Sequence, residues 1–381
     1  MPFGERFTIA VPDTELDELR RRLAATRWPD AVSDDWADGT DLTWLEGICR
    51  YWEREFDWRA QEADLNRFEQ YLGAVDGQTL HFIHQRSPEP DARPLLLIHG
   101  WPGSFIEFRH LIGPLTDPVA HGGRAEDAFH VVAPSLPGYG FSPAPRRHGC
   151  NGHRCAELFA GLMAALGYER YFAQGGDWGA HISTWLGAID PACIGIHLNL
   201  VFAREPRDGD AFADVSDAER ERLEASRLRT VNGIGYQEIQ GTKPQTLGYG
   251  LTDSPAGLAA WILEKFHGWT EHAGDPETAV SRDDMLTNVA VYWFTRSITS
   301  SMRLYYENRQ HPADPPVPAF VSKPTAVAAF PGELYLPPPA WIKRQYDLVR
   351  YTVQARGGHF AALEAPDLLL ADIRAAFAAM G

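Results

Sequence analysis

Apolar positions along the chain fall into three textures. Over residues 8–66 they recur at helical spacing: Leu16, Leu19 and Leu23 share one face of a helix that Asp13 or Thr14 can cap and that ends at Arg27-Trp28-Pro29. A second helix is predicted over 43–56. After Asp76-Gly77, a hairpin-type turn, short apolar runs alternate with helical stretches, at 79–84, 95–99, 130–133, 171–174 and 194–200. That rhythm predicts an α/β fold, a mostly parallel doubly wound sheet covered on both faces. Two more runs come late, at 325–330 and 350–354, before a closing helix over 366–380. From about 204 to 317 the strand rhythm stops. Ser254 as N-cap and Pro255 in the first turn lead there into a helix over 257–266, and a proline-rich return follows at 311–318. One sheet is thus interrupted by a helical insertion. The expected organisation is an N-terminal helical unit over 1–78, the sheet domain over 79–203 and 318–381, and a helical cap over 204–317.

Composition narrows the function. The 381 residues carry 35 Lys plus Arg against 51 Asp plus Glu, a formal charge of −16. A nucleic-acid partner needs a basic stripe, and the nearest candidate, Arg20-Arg21-Arg22, falls on the polar side of a helix. No stretch approaches the roughly 18 apolar residues of a membrane span. The first residues also lack the basic-then-apolar run of a secretory signal. The four cysteines, Cys49, Cys150, Cys155 and Cys193, are too few for a disulfide framework and form no zinc-type pair. The expectation is a cytoplasmic, reduced chain with no metal, no cofactor, no nucleic acid and no membrane, leaving a homodimer open. The unusual numbers are 12 Trp, 13 Tyr and 19 Phe, more rings than core packing demands. Five of the Trp (28, 36, 44, 52 and 58) lie in the N-terminal stretch.

The chemistry is concentrated in Gln174-Gly175-Gly176-Asp177-Trp178-Gly179, between a strand run and a helix of small residues. Gly-x-nucleophile-x-Gly in that setting is the sharp strand-to-helix elbow of an α/β-hydrolase, here with aspartate at its centre. Taken alone, Asp177 leaves room for a lesser reading as a helix cap. Its partners decide otherwise: Glu333 follows the penultimate strand run and His359 the last, in the order nucleophile, acid, histidine, at the strand ends where open sheets place their sites. His99-Gly100-Trp101-Pro102-Gly103-Ser104 supplies the loop that carries an oxyanion donor, so the expected donors are the amides of Trp101 and Trp178. Their indoles would also wall the substrate pocket.

An aspartate nucleophile attacks a saturated electrophilic carbon and forms an alkyl ester, which His359, oriented by Glu333, opens with water. Epoxides and alkyl halides qualify. A departing halide needs N–H donors such as the Trp178 indole, whereas an epoxide oxygen needs acidic O–H donors. The insertion offers Tyr236, Tyr249, Tyr292, Tyr305 and Tyr306 for the latter, and composition does not select among them.

With these motifs in place, the chain resembles the microsomal-type epoxide hydrolases, including juvenile-hormone epoxide hydrolases and their bacterial relatives. The likeness runs through 7–80, with Leu23-Ala24-Ala25-Thr26-Arg27-Trp28-Pro29, then 99–104, 175–179 and 356–363, and in the insertion 235–244 and 254–266. It implies that Tyr236 and Tyr305 are the two acids, with Tyr306 a one-place alternative. It also implies that Glu333, in Phe-Pro-x-Glu, is the triad acid. The expectation is that the microsomal members' anchoring helix is absent, since the resemblance starts directly at the N-terminal unit. The implied activity converts an apolar or aryl epoxide, a small molecule, and water to a vicinal diol. Tyr236, Tyr305, Trp101 and Trp178 would line the substrate. A haloalkane dehalogenase with the same triad, and a silent ligand-binding module, are the alternatives. An aromatic cap, with Trp261, Trp269, Trp293 and Phe294 near the tyrosines, is expected. The loop Arg146-Arg147-His148-Gly149-Cys150-Asn151 has no role in this scheme.

Overall fold

A computed structural model describes residues 3–381. Its strands are β1 (Glu5–Phe7), β2 (Gln70–Val75), β3 (Gln78–Gln85), β4 (Arg93–Ile98), β5 (Phe129–Pro134), β6 (Tyr171–Gly175), β7 (Cys193–Leu198), β8 (Val321–Ala329) and β9 (Tyr346–Val353). They form one nine-stranded sheet in the order β1-β2-β3-β5-β4-β6-β7-β8-β9. Pairing is parallel from β5 through β9 and antiparallel at the β1-β2-β3 end, where β3 meets β5. The sheet is therefore mostly parallel, as its apolar runs predict. Leu95, Leu96, Leu97 and Ile98 of β4 are fully buried, which is what a strand covered on both faces requires.

Helices α1 (Asp13–Ala24), α2 (Leu42–Arg54) and α3 (Trp58–Leu65) lie between β1 and β2. The hydrophobic face of α1 is the expected one, Leu16, Leu19 and Leu23, but its ends differ. Pro12 is the N-cap without a side-chain bond and the helix stops at Ala24, so Asp13 begins the first turn, where its charge suits the helix dipole. The two strands that flank this unit in sequence, β1 and β2, escape the hydrophobic pattern. β1 has only three residues, and β2 reads Gln-Tyr-Leu-Gly-Ala-Val with half-exposed positions. The turn at Asp76-Gly77 is as expected, with positive φ at both residues (44° and 78°) closing the β2–β3 hairpin.

Core helices α4 (Ile112–Thr116), α5 (Gly152–Ala165) and α6 (Asp177–Ile189) interleave with the strands. Between β7 and β8 lie α7 (Asp217–Gly233), α8 (Gly235–Thr242), α9 (Pro244–Asp253), α10 (Pro255–Trp269), α11 (Arg282–Thr295) and α12 (Ile298–Gln310). Ser254 caps α10 by accepting from the Gly257 amide, with Pro255 in the first turn. After β8 come α13 (Pro339–Ile342), α14 (Ala361–Glu364) and α15 (Pro366–Met380).

The N-terminal helices brace the cap. Trp36 stacks on His267 of α10 at 4.0 Å between centroids, Thr40 donates to the Ala260 carbonyl, and Tyr51 donates to Asp283 of α11 at 2.8 Å. Among the described residues no helix is long and apolar enough to cross a membrane.

Candidate active site

The turn from β6 into α6 places Asp177 at φ 48°, a left-handed conformation that an aspartate tolerates better than most side chains. The turn is tight because α6 lies against β4: a Cβ on Gly179 would run into the Ile98 carbonyl, and one on Gly100 into the Asp177 carboxylate. The Trp101 amide donates to Asp177 Oδ1 at 2.7 Å, and the Trp178 amide also points a donor at this carboxylate. The expected oxyanion donors therefore converge on Asp177, leaving Oδ2 for His359, whose Nε2 is 3.7 Å away.

Behind the histidine, Nδ1 lies 2.7 Å from Oε1 of the fully buried Glu333. A bridge between Gly332 and Gly358, each one residue before a triad member, holds the two loops in register beyond β8 and β9. Burial pushes the Asp177 carboxyl above its ordinary range, against the pull of His359 and the two amides. Burial also disfavours a charged His359, but the carboxylates of Glu333, Asp177 and Glu107 outweigh it and hold its pKa up at about 9.

Across from the carboxylate, the cap brings in Tyr236 from α8 and Tyr305 from α12. Their rings are 5.7 Å apart and nearly perpendicular. Tyr236 stacks on Trp101 at 5.1 Å, and Tyr305 meets Trp178 edge-on at 4.9 Å. Burial raises both phenol pKa values well above the ordinary, so both remain O–H donors. The Tyr305 hydroxyl is buried without a hydrogen-bond partner, while that of Tyr236 accepts from Gln237. Tyr306, the neighbour, packs instead toward His148 and His311. Tyr292 donates to the Gly103 carbonyl, and Tyr249 is exposed.

The aromatic cap is narrower than expected. Trp269 packs on Tyr236 at 5.2 Å and on His359 at 4.9 Å. Trp261 instead donates to Gln240, Phe294 packs on Trp58, and Trp293 lies beneath Arg22. Those three side chains serve the cap and its contact with the N-terminal helices, because α10 and α11 present one face to each neighbour.

One acidic residue was invisible to motif reasoning. Glu107, in a 3-10 turn after the oxyanion loop, lines a cavity of about 10 Å³ together with Asp177, His359, Gln174 and Asn199. That is about the volume one water needs. Burial pushes the Glu107 carboxyl up to about 8. Only the spacing from His99-Gly100-Trp101-Pro102 carries it in the sequence, and a lone glutamate in a helical turn gives no signal.

The fold and the elbow define the class: an α/β-hydrolase with an aspartate at the strand-to-helix turn. Residues 4–108 match the model of the epoxide hydrolase N terminus and residues 93–194 that of the alpha/beta hydrolase fold. A Stigmatella aurantiaca protein provisionally named an epoxide hydrolase is 48% identical over 97% of this chain and 84% of its own length. Epoxide hydrolase 1 of Sus scrofa is 39% identical over 97% of this chain and 87% of its own. The crystal structure of the juvenile hormone epoxide hydrolase of Bombyx mori superposes with a TM-score of 0.90 at 33% identity, covering 100% of this chain and 95% of that one. The chain belongs to the epoxide hydrolase family.

Proposed function

We propose that the protein hydrolyses an apolar or aryl epoxide to a vicinal diol, with Asp177 as nucleophile, Tyr236 and Tyr305 as acids, and His359 with Glu333 as the hydrolytic pair. The observation that carries this reading is the opposition of a carboxylate and two phenols across an aromatic slot. Asp177 Oδ2 attacks a ring carbon and the C–O bond opens toward the tyrosine hydroxyls, which hydrogen-bond the developing alkoxide and protonate it. The product of this step is an alkyl ester of Asp177.

Esterification removes the Asp177 charge, one of the causes that hold His359 protonated. The histidine then titrates lower and can act as a base. It takes a proton from water in the cavity shared with Glu107, and hydroxide attacks the Asp177 carbonyl carbon. The tetrahedral oxyanion falls to the Trp101 and Trp178 amides, and its collapse breaks the bond between the Asp177 carbonyl carbon and the substrate-bearing oxygen. The diol leaves with the oxygen that Asp177 supplied and the proton of the attacking hydroxide, and the proton taken up by His359 restores the tyrosine phenol. Walls of Trp101, Trp178, Trp269 and the tyrosine rings suit a flat apolar substituent.

The test is accumulation of the ester. His359→Gln, mixed with styrene oxide, should show the mass of enzyme plus substrate and no steady diol; an unmodified mass with the epoxide consumed contradicts the assignment of the base. One feature favours dehalogenation as a second reading: the indole Nε1 of Trp178 and that of Trp101 are buried without partners. Chloride or bromide release from simple haloalkanes, with no diol from styrene oxide, would establish it.

A further inference from the structure

The loop that leads into α5 has no part in this chemistry, yet it is tied to the cap at one point. His148 Nδ1 lies 2.6 Å from Oε1 of the buried Glu307, and the Gly149 amide donates to Oε2 at 2.7 Å. Gly149 sits at φ 99°, a turn glycine makes without strain. At the C-terminal end of α12, one turn beyond Glu307, the exposed His311 ring comes within 4.9 Å of His148. Its carbonyl accepts from Asn151, which caps α5. One ligand atom from each of His148, Glu307 and His311 falls within 4.8 Å of the other two.

We propose that His148, Glu307 and His311 form a binding site for a divalent transition-metal ion of the zinc type, pinning the core loop to the cap helix that carries Tyr305. Two imidazoles and a carboxylate are the donor set such ions prefer. Ligand atoms about 2.0–2.1 Å from a tetrahedral ion stand about 3.3 Å apart, so His148 and Glu307 must part slightly and His311 move inward. Both imidazoles are exposed and have room to do so. The ion takes the place of the hydrogen bond between His148 Nδ1 and Glu307 Oε1, with the neutral imidazole carrying its hydrogen on Nε2. Gly149, holding the second carboxylate oxygen, keeps Glu307 oriented from the outer sphere.

The surroundings narrow the ion further. Arg146, Arg147 and Arg303 line the same cavity, of about 170 Å³, and oppose any cation held by charge alone. An ion that forms coordinate bonds to imidazole nitrogen overcomes that opposition, whereas calcium and magnesium, which require several oxygen ligands, do not. The site departs from the metal-free expectation drawn from cysteine usage, because its ligands come from two distant segments with no motif spacing.

The test uses the full, tag-free chain stripped with chelator. Zn²⁺ titrated calorimetrically should bind one equivalent, and Co²⁺ should give a visible absorption band. His148→Ala and His311→Ala should each weaken binding by more than the roughly tenfold that loss of an outer-sphere partner costs. His272→Ala, which removes an imidazole elsewhere, should leave it unchanged. Zn²⁺ should also slow amide exchange in residues 143–151 and 298–311. Absence of binding, binding indifferent to both variants, or protection confined to other segments overturns the proposal. Both variants change exposed side chains, so folding does not confound the result.

Discussion

At the scale of single residues, the account turns on which tyrosines face the carboxylate. Tyr305 meets Trp178 and Trp101, whereas Tyr306 faces the other side of α12 toward His148. Adjacent positions on a helix point about 100° apart, so a one-place ambiguity in sequence becomes a wide separation in space. Tyr236→Phe with Tyr305→Phe should lower ring opening by about 10²-fold or more, the scale of lost general-acid catalysis, while Tyr306→Phe leaves it near wild type. Pre-steady-state loss of tryptophan fluorescence on ester formation is a suitable readout. Equal damage from Tyr306→Phe would reassign the second acid. Asp177, Glu333 and His359 were legible because a nucleophile elbow and two strand-end loops occur in a fixed order. Glu107 was not, because its place beside His359 arises only when the oxyanion loop folds back over the elbow.

At the scale of elements, the seven strands β3 to β9 and the closing helix were readable from apolar runs, and β1 and β2 were not. Strands at the antiparallel end of the sheet keep one face half-exposed, so neither a run nor a clean alternation marks them. The joint between N-terminal helices, core and cap is equally silent in sequence, and Arg109 is its centre. This buried guanidinium donates to Asp284 of α11 at 2.9 Å and to Gln61 of α3 at 3.0 Å, and pairs with Asp64 of α3. Arg109→Met strands those carboxylates. It should cost about 3 kcal/mol in urea unfolding, the low end for a broken buried pair because Asp64 keeps some solvent. A change within experimental error would mean that the three units are held by apolar packing alone.

Across the whole molecule, the proton inventory of the site sets how stability varies with pH. Burial raises Glu107 from 4.5 to about 8 and Glu364 from 4.5 to about 7, and the surrounding carboxylates raise His359, against burial, from 6.5 to about 9. Each group binds its proton more tightly folded than unfolded. Stability from the two carboxyls is therefore lost as pH rises from about 4.5 through 7 to 8, and that from His359 between 6.5 and about 9. Burial holds His81, His84, His99, His181 and His267 well below the ordinary imidazole value, so their contribution grows as pH rises and is complete by about pH 7.5. Above that the melting temperature should fall towards about pH 9, and Glu107→Gln should flatten the slope. A melting temperature that rises over that interval would contradict the cluster's assigned protonation. The aromatic surplus is likewise a property of the whole chain. Trp101, Trp178 and Trp269 wall the slot, while Trp36, packed on Trp44 of α2, and Trp58 of α3 join the N-terminal segment to the cap.

The central claim, that the diol's new oxygen comes from Asp177, is tested most directly by a single turnover in ¹⁸O-water with enzyme in excess over epoxide. The account predicts an unlabelled diol and one ¹⁸O in the peptide that contains Asp177. Label in the first-turnover diol, with none in that peptide, would mean that water attacks the epoxide directly.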